Sequence, residues 1–138
     1  MKKYFLIIVI TLLVGFKANA QVSVIVNKTV TETSIAASEL ANIYSLVSTK
    51  WNSGSRIVVI DYRTENKNQA SFYNYIGKDA LSLKKDWMRK QLTGEAKAPE
   101  VLGSDDEVLA KVASTPGAVG YVKSSVVNGS VKVVAEIK

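Results

Sequence analysis

The chain of 138 residues contains no histidine and no cysteine. Their absence excludes disulfide frameworks, imidazole and thiol catalysis, Ser-His-Asp hydrolysis and metal sites built on His or Cys. Aromatic residues are also sparse, at 8% of the chain, and there are only two prolines. What is left is carboxylate, lysine or hydroxyl chemistry, or binding without catalysis. No paired motif supports a reaction, so the reading favours a non-enzymatic protein that uses no cofactor. The length suits one domain with a single core.

The apolar residues begin with a targeting pattern. Lys2 and Lys3 precede a nearly unbroken apolar run from Phe5 to Phe16, and Ala18-Asn19-Ala20 supplies a small-x-small cleavage site. Residues 1–20 therefore read as a signal peptide cleaved after Ala20, with a single domain over residues 21–138. The run is too short to span a bilayer, which needs about 20 apolar residues. The expected location is periplasmic or secreted, with no stable membrane insertion after cleavage. The segment holds three of the lysines and no acid, which leaves 15 basic and 12 acidic residues in the rest, a net charge of +3. That excess is too mild for nucleic-acid binding. The densest basic stretch, Lys84, Lys85, Arg89 and Lys90, reads as a solvated helix face.

Val22 to Val26 is a short β-branched run and reads as a buried strand. Leu40, Ile43, Tyr44 and Val47 share one helical face, with Ser38 as the expected cap. Gly54 punctuates the next turn, and Arg56 to Asp61 is a second buried strand. Strand, helix, strand in this order predicts a parallel crossover unit. A polar loop from Tyr62 to Asn68 leads to a helix over Gln69–Ile76. Asp79 then caps a longer helix with Leu83, Trp87 and Gln91 inward, and Gly94 to Leu102 reads as irregular. Ser104-Asp105-Asp106-Glu107 is a capping box before Val108, Leu109 and Val112. Thr115-Pro116-Gly117 ends that helix. Ala118–Val122 and Val131–Ile137 are further strands, the last with Val131, Val133, Ala135 and Ile137 on one face. Trp51 and Trp87 read as core anchors. The fold class is α/β, one domain with a mainly parallel or mixed sheet flanked by helices.

Several spaced residues carry a resemblance. Leu40-Ala-Asn-Ile-Tyr44, Lys50-Trp51 and Gly54-Ser-Arg-Ile-Val58, then Phe72, Trp87, Gly94 and Pro99, fall in the order seen in the substrate-binding proteins of ABC-type phosphate uptake systems. The most specific stretch runs from Gly103-Ser-Asp-Asp-Glu107 to Thr115-Pro-Gly-Ala-Val-Gly-Tyr-Val122, whose end is similar to that family's P-G-A-I-G-Y-V segment. The resemblance implies a type II periplasmic-binding-protein-like fold. It covers one lobe only, where the family's transport proteins have two. It also implies an ABC transporter or envelope protein as partner, and leaves open a homodimer that completes a cleft.

In the longer proteins an Arg and a Ser-Gly-Thr loop follow the strand and hold phosphate; here the equivalent stretch is Arg63-Thr-Glu-Asn-Lys-Asn-Gln69. The resemblance therefore keeps the Arg and lacks the Ser-Gly-Thr. A loop at the carboxyl end of a parallel strand, opening a helix, is where open α/β sheets bind ligands, and helix N-termini favour anions. The expected ligand is a small inorganic anion, phosphate foremost. Arg63 supplies the fork, and Thr64, Asn66, Asn68, Gln69 and Ser71 supply hydrogen bonds. The same residues also read as ordinary loop polars, with Arg63 paired to Asp61 or Glu65. On that reading the chain is a ligand-free interaction module of an envelope complex.

Overall fold

A computed structural model describes residues 21–138; the signal-peptide reading of residues 1–20 lies outside the described residues. The first strand, β1 (Val22–Val26), is buried along its whole length. It pairs antiparallel with β4 (Ala118–Lys123) on one side and with β5 (Lys132–Ile137) on the other. A strand with neighbours on both edges and layers on both faces has no solvent side, which is why VSVIV does not alternate.

The second strand, β2 (Val58–Tyr62), runs parallel to β4 and to the short β3 (Glu100–Leu102). The sheet is mixed, in the order β3-β2-β4-β1-β5. The expected parallel crossover from β1 to β2 is therefore corrected. Helix α1 (Ala37–Tyr44) does join them, but β4 lies between them, antiparallel to β1 and parallel to β2. The stretch read as irregular ends in β3, whose three residues pair with Ile60–Tyr62. In β5 the register shifts, so that Val24 faces Ala135 while Ile25 faces Val133. This bulge breaks the expected single face. Val134 and Ile137 are buried, whereas Val133 and Ala135 are only half-buried.

Helices cover both faces. Helix α4 (Asp105–Ser114) lies so close to the sheet that a Cβ on Gly120 would stand 3.0 Å from both Val108 and Val112. On the opposite face Tyr121 stacks on Phe72 of α2 (Lys67–Ile76), with ring centroids 4.1 Å apart, and Tyr44 of α1 meets the same Phe72 edge-on at 4.7 Å. Helix α3 (Ala80–Leu92) anchors beside them through Leu83 and Trp87. The Trp87 indole donates to the carbonyl of Tyr44, the last residue of α1, and the Trp51 indole donates to the carbonyl of Gly117 at 2.9 Å. Both tryptophans are thus core anchors, as expected. Gln91 is exposed, outside the inner face expected for it.

The helix starts follow their cap residues. Asp79 accepts from the amide of Ser82 and Ser104 from that of Glu107, while Glu107 Oε2 reaches back to the amide of Gly103. Helix α1 departs from expectation: its N-cap is Ala36, without a side-chain cap, and Ser38 lies inside the first turn.

Candidate functional site

Strand β2 ends at Tyr62 and β3 at Leu102, and each is followed within a few residues by a helix. Because the two strands are parallel, α2 and α4 both start at the same edge of the sheet. Their N-termini open onto one cavity of about 320 Å3, lined by Tyr62, Asn66, Lys67, Asn68, Gly103, Ser104, Asp105 and Lys123.

The backbone supplies the donors. In α2 the Asn66 side chain accepts from the amide of Gln69, and the first in-helix bond runs from Ala70 to the Asn66 carbonyl. The amides of Lys67 and Asn68 are left as the first-turn donors without an intrahelical partner. In α4 the Ser104 hydroxyl and carbonyl take the amides of Glu107 and Val108, leaving those of Asp105 and Asp106 in the same position. The two ends differ in charge. Helix α4 carries Asp105, Asp106 and Glu107 in its first turn, which complement its dipole; α2 carries no acid there and begins with Lys67. A cation at the positive end of a helix is unfavourable unless an anion lies nearby.

One internal anion already approaches α2. Asp105 accepts from Asn68 Nδ2 at 2.8 Å and is hydrogen-bonded to the Tyr62 hydroxyl, which also lies 2.9 Å from the Tyr121 carbonyl. These bonds fix the Asp105 carboxylate beside the cavity and tie α4 to β2.

Behind this wall lies a buried carboxylate. Asp61, 1% exposed, accepts from the hydroxyls of Tyr73 (2.6 Å) and Tyr121, the amide of Tyr62 (2.7 Å) and the Gln69 side chain (3.4 Å). Burial pushes its carboxyl up from the usual range, and the hydrogen bonds pull it part of the way back. Burial likewise drives the phenols of Tyr62, Tyr73 and Tyr121 far upward. Asp61 lies behind the cavity and does not line it, and Tyr62 is the member of the cluster that does.

The residues expected at the site separate accordingly. Asn66 and Asn68 line the cavity, the first as the α2 cap and the second bound to Asp105. Gln69 is buried and turned toward Asp61, away from the cavity. Ser71 is half-buried in the second turn of α2, and Thr64 is exposed in the loop. Neither borders the cavity. Arg63 is exposed, its amide held by the Leu102 carbonyl at 2.8 Å and its guanidinium near Gly103, just outside the lining. It forms no ion pair among the described residues, and Asp61 is engaged elsewhere.

Sequence reasoning missed Gly103, Ser104, Asp105 and Lys123 as neighbours of this loop. The capping box was the available signal, since a capped helix start is also a ring of free amides. A larger hollow of about 840 Å3 lies at the other end of β2. The ends of α1 and α3 approach there, and its lining mixes Lys50, Arg56 and Lys97 with Glu95 and Glu100, with no helix N-terminus facing it.

No family model matches the sequence, and no curated protein matches it. Solved structures do. A protein from Clostridium perfringens, assigned as a phosphate ABC transporter substrate-binding protein and solved with phosphate bound, superposes with a TM-score of 0.70 and 18% identity, over 83% of this chain and 44% of that one. An ABC-type phosphate transport receptor from Vibrio cholerae gives 0.65 and 20%, over 83% and 45%. PstS from Borrelia burgdorferi gives 0.63 and 17%, over 84% and 47%. The chain thus spans less than half the length of the solved proteins it matches. Its mixed five-stranded sheet with helices on both faces has the fold of a single lobe of these proteins.

Proposed function

We propose that this protein is an exported, non-enzymatic solute-binding-type domain that takes a phosphate-like oxyanion at the cavity between the starts of α2 and α4. The observation that carries the reading is the α2 N-terminus, which has orphan amides at Lys67 and Asn68, a cationic first residue and no acid of its own. The likeness of the fold to a protein solved with phosphate bound supports the same reading. Arg63 stands at the mouth and closes on the anion by a side-chain rotation, while Lys123 adds charge from the end of β4. Asn66 and Asn68 orient the helix start. A second reading, a ligand-free interaction module, draws support from Asp105, whose carboxylate occupies part of the space an anion would use.

The test is a phosphate titration followed by amide NMR of residues 21–138. On the binding reading the amides of Lys67, Asn68, Asp105 and Asp106 shift saturably, and sulfate competes. Shifts scattered over surface lysines without saturation would instead favour the interaction module.

A further inference from the structure

Helix α3 carries two apolar stripes, and the core uses only one. Leu83 and Trp87 are buried, at 0% and 8% exposure, and hold the helix to the domain. Leu81, Met88 and Leu92 are 65%, 63% and 80% exposed. Their spacing of seven and four residues gathers them within about 40° of arc, some 140° round the helix from the buried pair. Lys84 flanks this outer stripe on one side and Lys85 on the other, both exposed. Arg89 is paired with Asp86 at 3.2 Å and Lys90 with Glu95 at 3.7 Å, whereas Lys84 and Lys85 form no ion pair among the described residues.

We propose that this outer stripe of α3, Leu81, Met88 and Leu92 flanked by Lys84 and Lys85, seats the domain on a lipid surface carrying anionic headgroups. The stripe is convex, on a helix held by its opposite face, so it enters a soft layer rather than enclosing a ligand. Charge complementarity selects an anionic surface. A second copy would set the Lys84 and Lys85 pairs of both chains against each other. Protein interfaces favour aromatic, methionine and arginine anchors and are depleted in lysine. Here two of the three anchors are leucine, none is aromatic, and the flanks are lysine, whose stems lie along an apolar boundary while the ammonium groups reach the headgroups. Three apolar side chains give shallow, reversible, salt-sensitive adsorption, distinct from insertion.

The test is flotation of residues 21–138, which contain every described strand, helix and core side chain, with vesicles of phosphatidylcholine alone or with about 30% phosphatidylglycerol. The apolar run Phe5–Phe16 is left out because it would bind lipid by itself. The protein is expected to float with the anionic vesicles only, and to be released by high salt. Lys84→Gln/Lys85→Gln lowers partitioning about 30-fold, at about 1 kcal/mol per cation near such a surface. Leu81→Gln/Met88→Gln/Leu92→Gln abolishes flotation with the melting temperature unchanged, and Lys28→Gln, elsewhere on the surface, has no effect. Flotation that is absent, or equal on both vesicle types, or retained by the triple variant overturns the proposal. So does a dimer in sedimentation that the triple variant dissolves, which would assign the stripe to a second copy.

Discussion

Asp105 and Asn68 meet at 2.8 Å across the mouth of the cavity, so the first turn of α4 lends its carboxylate to the first turn of α2. The contact ties two helices that start 38 residues apart, Lys67 and Asp105. It also places a negative charge beside the amides proposed to receive an oxyanion. On the proposed reading, Asp105 limits how strongly that site would bind an anion.

Replacing it is expected to strengthen anion binding. Asp105→Asn keeps an acceptor for Asn68 and removes the like charge, worth about 1 kcal/mol at some 4 Å in a water-like dielectric. Phosphate should bind about five-fold more tightly by calorimetry. An unchanged or weaker affinity would place the anion elsewhere.

Arg63→Ala tests the mouth of the same site. The side chain is exposed and only the backbone amide is tied down, to Leu102. The apo protein should melt within a degree or two of wild type, since surface substitutions away from such features usually change stability by less than about 0.5 kcal/mol. Phosphate-induced stabilisation should fall to near nothing. Stabilisation that survives intact would remove Arg63 from the ligand's contacts.

Asp61 governs pH dependence. Its folded pKa is raised by burial, so the native state holds its proton more tightly than the unfolded chain does. Between the unfolded value, about 3.9, and the higher folded one, the native state binds more protons, and stability falls as pH rises through that window. Asp61→Asn retains an oxygen for Tyr121 and Tyr62 and carries no charge. Urea unfolding from acid to neutral pH should show wild type losing stability relative to the variant across the window. A parallel pair of curves would show that the four donors compensate the burial fully.

Two glycines separate strain from freedom. Gly117 lies at φ +77°, and a Cβ there would stand 2.4 Å from the Arg56 carbonyl oxygen. Gly117→Ala is expected to cost more than about 2 kcal/mol, combining left-handed strain with a backbone shift. At Gly129 a Cβ would meet nothing within 4 Å, and φ is not positive. Gly129→Ala should be neutral or stabilise by up to about 1 kcal/mol. Chemical unfolding of the pair gives the comparison directly.

These particulars show what a sequence carries and what it does not. Caps are local chemistry, so Asp79 and Ser104 announced α3 and α4. The buried run of β1 was legible because a central strand is apolar on both faces. Its direction relative to β2 was not, because it depends on β4, nearly a hundred residues later, entering between them. Strand β3 is three residues at an edge, too short for periodicity to register. The Val134 bulge leaves an unbroken apolar run that any register would satisfy. The loop after β2 reads as a candidate site from its place in the chain alone. Gln69 reads as a donor to the ligand because nothing local reveals that Asp61, eight residues earlier, draws it inward. Asp105 entered only when the fold brought α4 alongside α2.

A single lobe covers one side of an anion, whereas good small-molecule sites bury 70–90% of the ligand. Residues 21–138 alone should therefore bind phosphate with a Kd above about 10 μM. A nanomolar value would require a second covering surface and contradict the one-sided site.

The most direct test is thermal unfolding of residues 21–138 with and without about 10 mM phosphate, sulfate or chloride at matched ionic strength. At a Kd of about 100 μM this is a hundred-fold excess, which adds about 2.7 kcal/mol. That should raise the melting temperature by roughly 8–15 °C with phosphate and by little with chloride. Equal melting temperatures in all three salts would contradict the oxyanion site and leave the domain with the binding-protein fold but not its ligand.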